Sequence, residues 1–366
     1  MDLEELRRAG LYDPDMPDAD ERLALLRLLD ERGVTVEEMV EALEEGRLVG
    51  LAVDTVVRPS GERITFAQLC ARAALDPDLG LTLLRTVGFA QPEPEDRAFT
   101  GAEVEAFRFL GALAMLVDLD TVLQISRAAG AAMATVAEAE LSAVRTGLEG
   151  PMRAAGVSDF GQAQSLMAVA GALPDMLKVL DVLHRRHLLA SMRTEVMWDA
   201  IGRPRVDLAV GFADLVGYTT RVQTLDAHEL ATMITRFETT AAAVIADGGG
   251  RLVKVIGDEI MFRAPTAGGG CAIATSLVAT FAADPVLPEL RVGLCAGPVL
   301  AFEGDYYGPT VNVAARLVKE AEPGTALGCA ELAGRADSGC DFEPAGRRSL
   351  RGVGDVDTVR LVVPTC

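Results

Sequence analysis

Apolar positions change their spacing once along this chain. Up to about residue 200 they recur three or four apart, the period of a helix; beyond Val206, short apolar runs alternate with longer helical stretches. In the first part, residues 22–30 carry leucines at 23, 25, 26, 28 and 29, and Gly33 is a stop. Three capping boxes announce helix starts: Thr35 with Glu38, Thr65 with Gln68, and Thr100 with Glu103. Residues 91–96 (QPEPED) cannot continue a helix and predict a loop. The Ala-rich stretch 119–148 predicts a long helix ended by Gly150-Pro151, and Ser158 is placed to cap the next. Strand signals are almost absent, and no catalytic constellation occurs. The expectation for residues 1–173 is an all-α bundle serving regulation or dimerisation.

Pro174 opens a helix expected to run to Trp198. Met176, Leu180, Leu183, His187 and Ala190 alternate in spacings of four and three, the seam of a helix that pairs with another helix. His184 and His187 lie within it, two of only three histidines in the chain. Imidazole titrates near neutral pH, so they read either as a switch or as solvated linker residues. Gly202-Arg203-Pro204-Arg205 breaks this helix, which sets a linker at residues 174–205.

From Val206 the runs read strand (207–213), helix (227–246), hairpin (251–262), helix (270–281) and strand (290–296). This βαββαβ order predicts a ferredoxin-like core, with further strands near Gly304, at 326–328 and around 358–363. The chain is therefore expected to be α+β, with the helical bundle preceding the sheet domain at 206–366. The hairpin turns at Gly257-Asp258, and Lys254 places a charge inside its first apolar strand. Asp214 lies just past the first strand, at the end neighbouring Asp258. Two carboxylates so placed suit Mg²⁺ ions that bridge a polyphosphate. A later helix starts at Pro309 and buries Val311, Ala314, Ala315 and Val318. Asn312 and Arg316 are i, i+4 on its polar stripe, and Lys319 extends it. An amide beside a guanidinium can hold a sugar and a phosphoryl group, or can simply be a solvated face.

Composition narrows the classes. The 366 residues have a formal net charge of −20, so a phosphate backbone is repelled and nucleic acid is not an expected partner. Residues 203–366 hold 20 acidic and 15 basic side chains, leaving 34 and 19 for residues 1–202. The six cysteines (Cys70, Cys271, Cys295, Cys329, Cys340, Cys366) form no CxxC pair, which predicts reduced thiols in the cytoplasm. The start, MDLEELRRAG, lacks the apolar core of a signal peptide, and the apolar run 109–117 is too short to span a bilayer. A cytoplasmic protein with no transmembrane segment is expected; contact with a membrane surface stays open.

FADLVGYT, KVIGDEIMF and GDYYGPTVNVAARL, in this order, resemble the catalytic domain of class III nucleotidyl cyclases over residues 206–364. The resemblance implies that Asp214 and Asp258 bind two metal ions per active site, Mg²⁺ or Mn²⁺. It implies that Lys254 reads adenine N1 and Asp305 the exocyclic amine. Guanylyl cyclases of this class usually carry Glu and Cys there, so ATP is the implied substrate. Asn312 would orient the ribose, Arg316 would stabilise charge on the α-phosphate, and Arg351 would contact the terminal phosphates. Tyr218 stands where phenylalanine is commoner. The implied enzyme is an adenylyl cyclase making 3′,5′-cyclic AMP and pyrophosphate in a homodimer with shared sites. Metal and adenine residues would come from one protomer and the Asn/Arg helix from the other. The N-terminal half resembles, more loosely, the autoinhibitory helical domain of a pH-responsive subset. His184 or His187 would then be the trigger, the alternative being a lipid or other apolar ligand in the bundle. A nucleotide-binding sensor without turnover has no use for Arg316. Lys254 and the GDYYGPTVNVAARL block argue against a guanylyl or diguanylate cyclase.

Overall fold

The computed structural model describes residues 2–59, 61–192, 197–198, 204–336 and 340–363, and the chain divides into two compact units, Met1–His187 and Leu188–Cys366. The first unit is helical. All three capping boxes form: Thr35, Thr65 and Thr100 each cap a helix while the acid or amide three residues on returns to the cap nitrogen. The helices gather around two apolar clusters. Leu25, Leu29, Met39 and Leu51 centre one, which also takes Ala163 and Met167; Ile64, Leu69, Leu83 and Val122 centre the other. Among the described residues, an isolated bridge pairs Ile64 with Phe99.

Two helix ends differ from expectation. The helix Leu119–Val144 runs through a π-turn, Arg145–Glu149, into a further helix, Gly150–Ala154, so Gly150-Pro151 does not end it. Pro151 follows the π-turn without a break in the helix, since Glu149 before it is itself helical and the Gly150 N–H reaches back to the Arg145 carbonyl. The linker helix is Leu173–Met192 and stops short of Trp198. Met197–Trp198 instead pairs as a strand with Arg205 and Pro204. Residues 193–196, Gly202, Arg203 and Cys366 lie outside the described residues. Among those described, no helix is long and apolar enough to cross a membrane.

The second unit is built on one sheet. Its main elements, numbered within the unit, are β1 (Pro204–Leu215), α1 (Ala227–Asp247), β2 (Arg251–Ile256), β3 (Glu259–Ala264), α2 (Ala267–Ala283), β4 (Leu290–Phe302), β5 (Asp305–Tyr307), α3 (Pro309–Glu320), β6 (Ala326–Cys329), β7 (Phe342–Leu350) and β8 (Gly354–Leu361). The strand order is β2-β3-β1-β4-β6-β8-β7, and β5 pairs with the end of β4. The first four strands have the ferredoxin-like order, with β1 antiparallel to both neighbours. Strand β7 has no counterpart among the strands expected from sequence.

Period-two alternation gives the sheet two faces. Ala209, Gly211 and Ala213 point to α1 and α2. Gly211 is needed there because the Phe262 ring lies where its Cβ would be, 2.2 Å from the ring tip. Burying Phe262 completely is worth about 1.5–3 kcal/mol. Phe212, Asp214, Gly293 and Arg291 lie on the opposite face, where α3 crosses. A disulfide joins Cys295 on β4 to Cys329 on the adjacent β6, with Cα atoms 5.4 Å apart. This corrects the expectation of reduced thiols for that pair: spacing along the chain cannot show that 34 residues return to a neighbouring strand. Cys70, Cys271 and Cys340 are free.

Candidate active site

Asp214 is the penultimate residue of β1, and Asp258 sits in the turn between β2 and β3. The turn is set by Gly257 at φ 65°, and the Asp258 carbonyl accepts from the Leu215 N–H at 3.1 Å, which ties the hairpin tip to the strand end. Both side chains line a polar cavity of about 450 Å³ with Tyr218, Thr219, Thr220, Arg291 and Lys319. Asp214 is buried, 3 % exposed. Its Oδ2 accepts from Arg291 Nε at 2.7 Å and Nη2 at 2.5 Å. Its Oδ1 accepts from Lys319 Nζ at 3.2 Å, and the same amine lies 2.5 Å from Glu259 Oε2. Partial burial opposes the charge on Lys319, but the hydrogen bond and charge of Glu259, with those of Asp214, outweigh it and hold the amine above its usual value.

Arg291 and Glu259 were missed by sequence reasoning, and Lys319 was seen only as a helix stripe. A signal was available for Arg291: it is a charge at the start of the apolar run RVGLCA, as Lys254 is in its own strand. Its register opposite Asp214, with Glu259 opposite on the other side, exists only once the sheet forms.

The remaining residues lie elsewhere in the unit. Lys254, beside a bulge in β2, donates to Asp305 Oδ2. Asp305 is aimed by the tight turn at Glu303-Gly304, both at positive φ, and its Oδ1 accepts from the Tyr306 N–H at 2.8 Å. Helix α3 starts four residues later and is pinned at its first turn by the Thr310 hydroxyl, which donates to the Pro298 carbonyl at 3.0 Å. Asn312 and Arg316 are exposed on it, as the stripe predicts. Arg351 is exposed in the turn joining β7 and β8. None of these five lines the carboxylate cavity. Among the described residues, no group of three or more His, Cys, Asp or Glu side chains converges to hold a metal. In the first unit, His184 and His187 are both exposed on the linker helix. Hydrogen bonding to Arg185 holds the Asp181 carboxyl below its usual value, and the charge of His184 adds to the effect.

Comparison with known proteins places this architecture. The adenylate cyclase regulatory domain family matches residues 8–189. An adenylate cyclase of Streptomyces coelicolor is 35 % identical over 273 residues, covering 74 % of this chain and 70 % of that protein. The chain belongs to the adenylate cyclase family. An uncharacterised Mycobacterium tuberculosis protein is also 35 % identical to this cyclase, over 91 % of the chain and 86 % of the relative. A pH-sensitive adenylate cyclase of Mycobacterium tuberculosis is 29 % identical over 93 % of the cyclase and 88 % of its own length. In the second unit of the cyclase, Lys254 and Asp305 pair with each other outside the carboxylate cavity, and Asn312 and Arg316 are exposed on α3.

Proposed function

We propose that the chain converts ATP to 3′,5′-cyclic AMP and pyrophosphate in sites completed by a second copy of itself. The observation that carries this reading is the separation of the two groups within one chain. The cavity is lined by Asp214 and Asp258, and from α3 by Lys319, but not by Lys254, Asp305, Asn312 or Arg316. A two-fold pairing of catalytic units would supply each cavity with the missing residues and give two equivalent sites. On this basis the division between protomers differs from the one implied by sequence. Lys254 and Asp305, paired to each other outside the cavity, go with Asn312 and Arg316; the carboxylates come from the partner. We assign residues 1–173 to regulation, 174–205 to the linker and 206–366 to catalysis.

Asp214 and Asp258 would hold the two divalent ions, Mg²⁺ or Mn²⁺. The donor set fits: carboxylates are hard oxygen ligands, and Asp214 Oδ1 is engaged by a half-exposed lysine that can give way. Bound there, the ions supply positive charge that makes the ribose 3′-OH a better nucleophile and favours pyrophosphate as leaving group. The chain's own residues do the rest. Lys254 donates to adenine N1 and Asp305 accepts from the exocyclic amine. Guanine would set donor against donor and acceptor against acceptor at both contacts, which is a strong basis for rejection. Asn312 orients the ribose. Arg316 donates to the α-phosphate oxygens, where charge builds in the transition state. Arg291, which lines the cavity, and Arg351 bind the terminal phosphates. No side chain at these positions serves as the base, so the proton leaves through water or a substrate phosphate.

The test is cyclic nucleotide formation from ATP and from GTP with Mn²⁺, followed by complementation. Asp214→Ala and Arg316→Ala chains, each inactive alone, should regain activity when mixed, because each heterodimer holds one intact site. No recovery in mixtures shown to exchange subunits overturns the shared site. No cyclic nucleotide from the wild-type chain overturns the enzyme reading.

The helical unit is assigned to restraint of the catalytic units with release on acidification. The match to a regulatory domain family, the pH-sensitive relative, and His184 and His187 on an exposed linker helix support this. The second reading, an apolar ligand, rests on the exposed Phe109, Met115, Leu116 and Val117. A co-purifying lipid in native mass spectrometry would favour it.

A further inference from the structure

We propose that Lys319 is a displaceable place-holder in the metal site, a resident cation that keeps Asp214 from binding free divalent ions tightly before substrate arrives. The proposal rests on the assignment of Asp214 as a metal ligand. Glu259, Asp214 and Arg291 stand directly opposite one another across β3, β1 and β4. Facing residues on neighbouring strands have Cβ atoms only about 4.5–5.5 Å apart, and two like charges so placed repel. Arg291 compensates Asp214 from one side and occupies Oδ2 with two N–H groups. Oδ1 is left, and Lys319 reaches down from the last turn of α3 to bridge it to Glu259.

The two contacts of the amine are unequal. It lies 2.5 Å from Glu259 and 3.2 Å from Asp214, so Glu259 anchors it and Asp214 shares it. Among the described residues no group of three or more His, Cys, Asp or Glu side chains converges to hold a metal, and Glu259 is engaged by Lys319. Its role is to park the lysine. Lysine is a point charge on a flexible stem, and this side chain is 48 % exposed and borders the open cavity, so it can leave Oδ1 without disturbing the core. A divalent ion arriving alone must displace it. An ion arriving with a triphosphate brings the lysine new anionic partners. The device therefore favours the metal–nucleotide complex over the bare ion.

The test is Mn²⁺ binding to the full-length chain without nucleotide, read from the electron paramagnetic resonance signal of free Mn²⁺. Lys319→Gln should bind Mn²⁺ about tenfold more tightly than wild type, ~1.4 kcal/mol. Lys319→Arg should stay within about twofold of wild type, since it keeps the charge. Glu259→Gln leaves the lysine to Asp214 alone and should bind more weakly, a loss that vanishes in the Lys319→Gln background. Equal affinity in wild type and Lys319→Gln, with binding still lost in Asp258→Asn, overturns the place-holder and leaves the metal site standing. Binding that Asp258→Asn does not affect, or no binding even with a non-cyclisable ATP analogue, overturns the metal assignment and the place-holder together.

Discussion

Gly293 is the point where β4 lets α3 come close, and Gly293→Ala should separate folding from catalysis. A Cβ there would lie 2.2 Å from the Val318 nitrogen, 2.5 Å from the Ala314 oxygen and 2.8 Å from the Leu317 carbonyl carbon. All three are backbone atoms, so no side chain can swing aside. Ordinary contact begins at 3.4 Å, so the helix must retreat by roughly 1.2 Å. Thr310 pins its first turn to Pro298, so the retreat is a tilt that lifts the end carrying Arg316 and Lys319.

Overpacking of this kind costs about 1–3 kcal/mol. At roughly 2–4 °C per kcal/mol for a domain of this size, the melting temperature should fall by about 2–12 °C. A displacement of about 1 Å in a positioning element can cost on the order of 10² in rate. Turnover and thermal melting should be measured on one preparation, with the assay run well below the lowered transition. The expected result is a turnover near one-hundredth of wild type from a chain that is still folded. KM for ATP should move far less, since Lys254 and Asp305 lie outside α3. Gly334→Ala, whose Cβ meets nothing within 4 Å, serves as the control and should change neither. A folded Gly293→Ala chain with wild-type turnover, or one whose loss merely tracks the unfolded fraction, would refute the link from this contact to the site.

Arg316→Ala should lower kcat by about 10²–10³ with a small change in KM, because its contact strengthens only as charge develops; steady-state kinetics with ATP checks this. Lys254→Ala should lose the preference for ATP over GTP by raising KM for ATP, measured as the ratio of kcat/KM values. Burial opposes the charge on Glu103, but hydrogen bonds from the Thr100 hydroxyl and N–H outweigh it and hold the carboxyl below its usual value. Its stabilisation is thus fully present above the ordinary glutamate range and fades as pH falls through the lowered value. Melts below roughly pH 4.5 should show wild type converging on Glu103→Gln, which keeps the capping box, with a gap of about 0.3–1 kcal/mol at neutral pH from the charge at the helix N-terminus. His184→Asn with His187→Asn should flatten the pH profile of activity; an unchanged profile moves the trigger elsewhere.

The parts legible in the sequence are those fixed by neighbours along the chain. Thr35, Thr65 and Thr100 cap helices because a cap bond spans three residues. The hairpin from Arg251 to Ala264 forms because Gly257 can take a positive φ between two β-branched or apolar runs. The βαββαβ order survives because each element announces itself. What was illegible depends on register. Arg291 meets Asp214 across 77 residues and Lys319 meets it across 105, and neither distance has a local signature. The disulfide of Cys295 and Cys329 needs β4 and β6 side by side in the same way. Pro151 misled for the opposite reason. Its local signal is strong, but the preceding π-turn absorbs it.

The pairing pattern within the chain bears on what the proposed site must change in order to act. Lys254 is paired with Asp305, and Lys319 with Glu259 and Asp214, so these side chains are neutralised within one chain. In the proposed reading, binding ATP and metal would exchange these partners for adenine, phosphate and the ions. Lys254 and Lys319 are 40 % and 48 % exposed, but their partners Asp305, Glu259 and Asp214 are only 22 %, 15 % and 4 % exposed, so breaking these pairs leaves largely buried carboxylates that need new partners. The hydrogen bonds and ion pairs that substrate and ions bring would have to supply them. Asn312 and Arg316 face solvent, so docking a second catalytic unit breaks no internal bond of theirs. In the proposed two-chain site the barrier would lie in bringing two units together and in exchanging the partners of Asp214, Glu259 and Asp305. A restraint of about 1.4 kcal/mol on that approach would change the assembled fraction, and the rate, close to tenfold when that fraction is small.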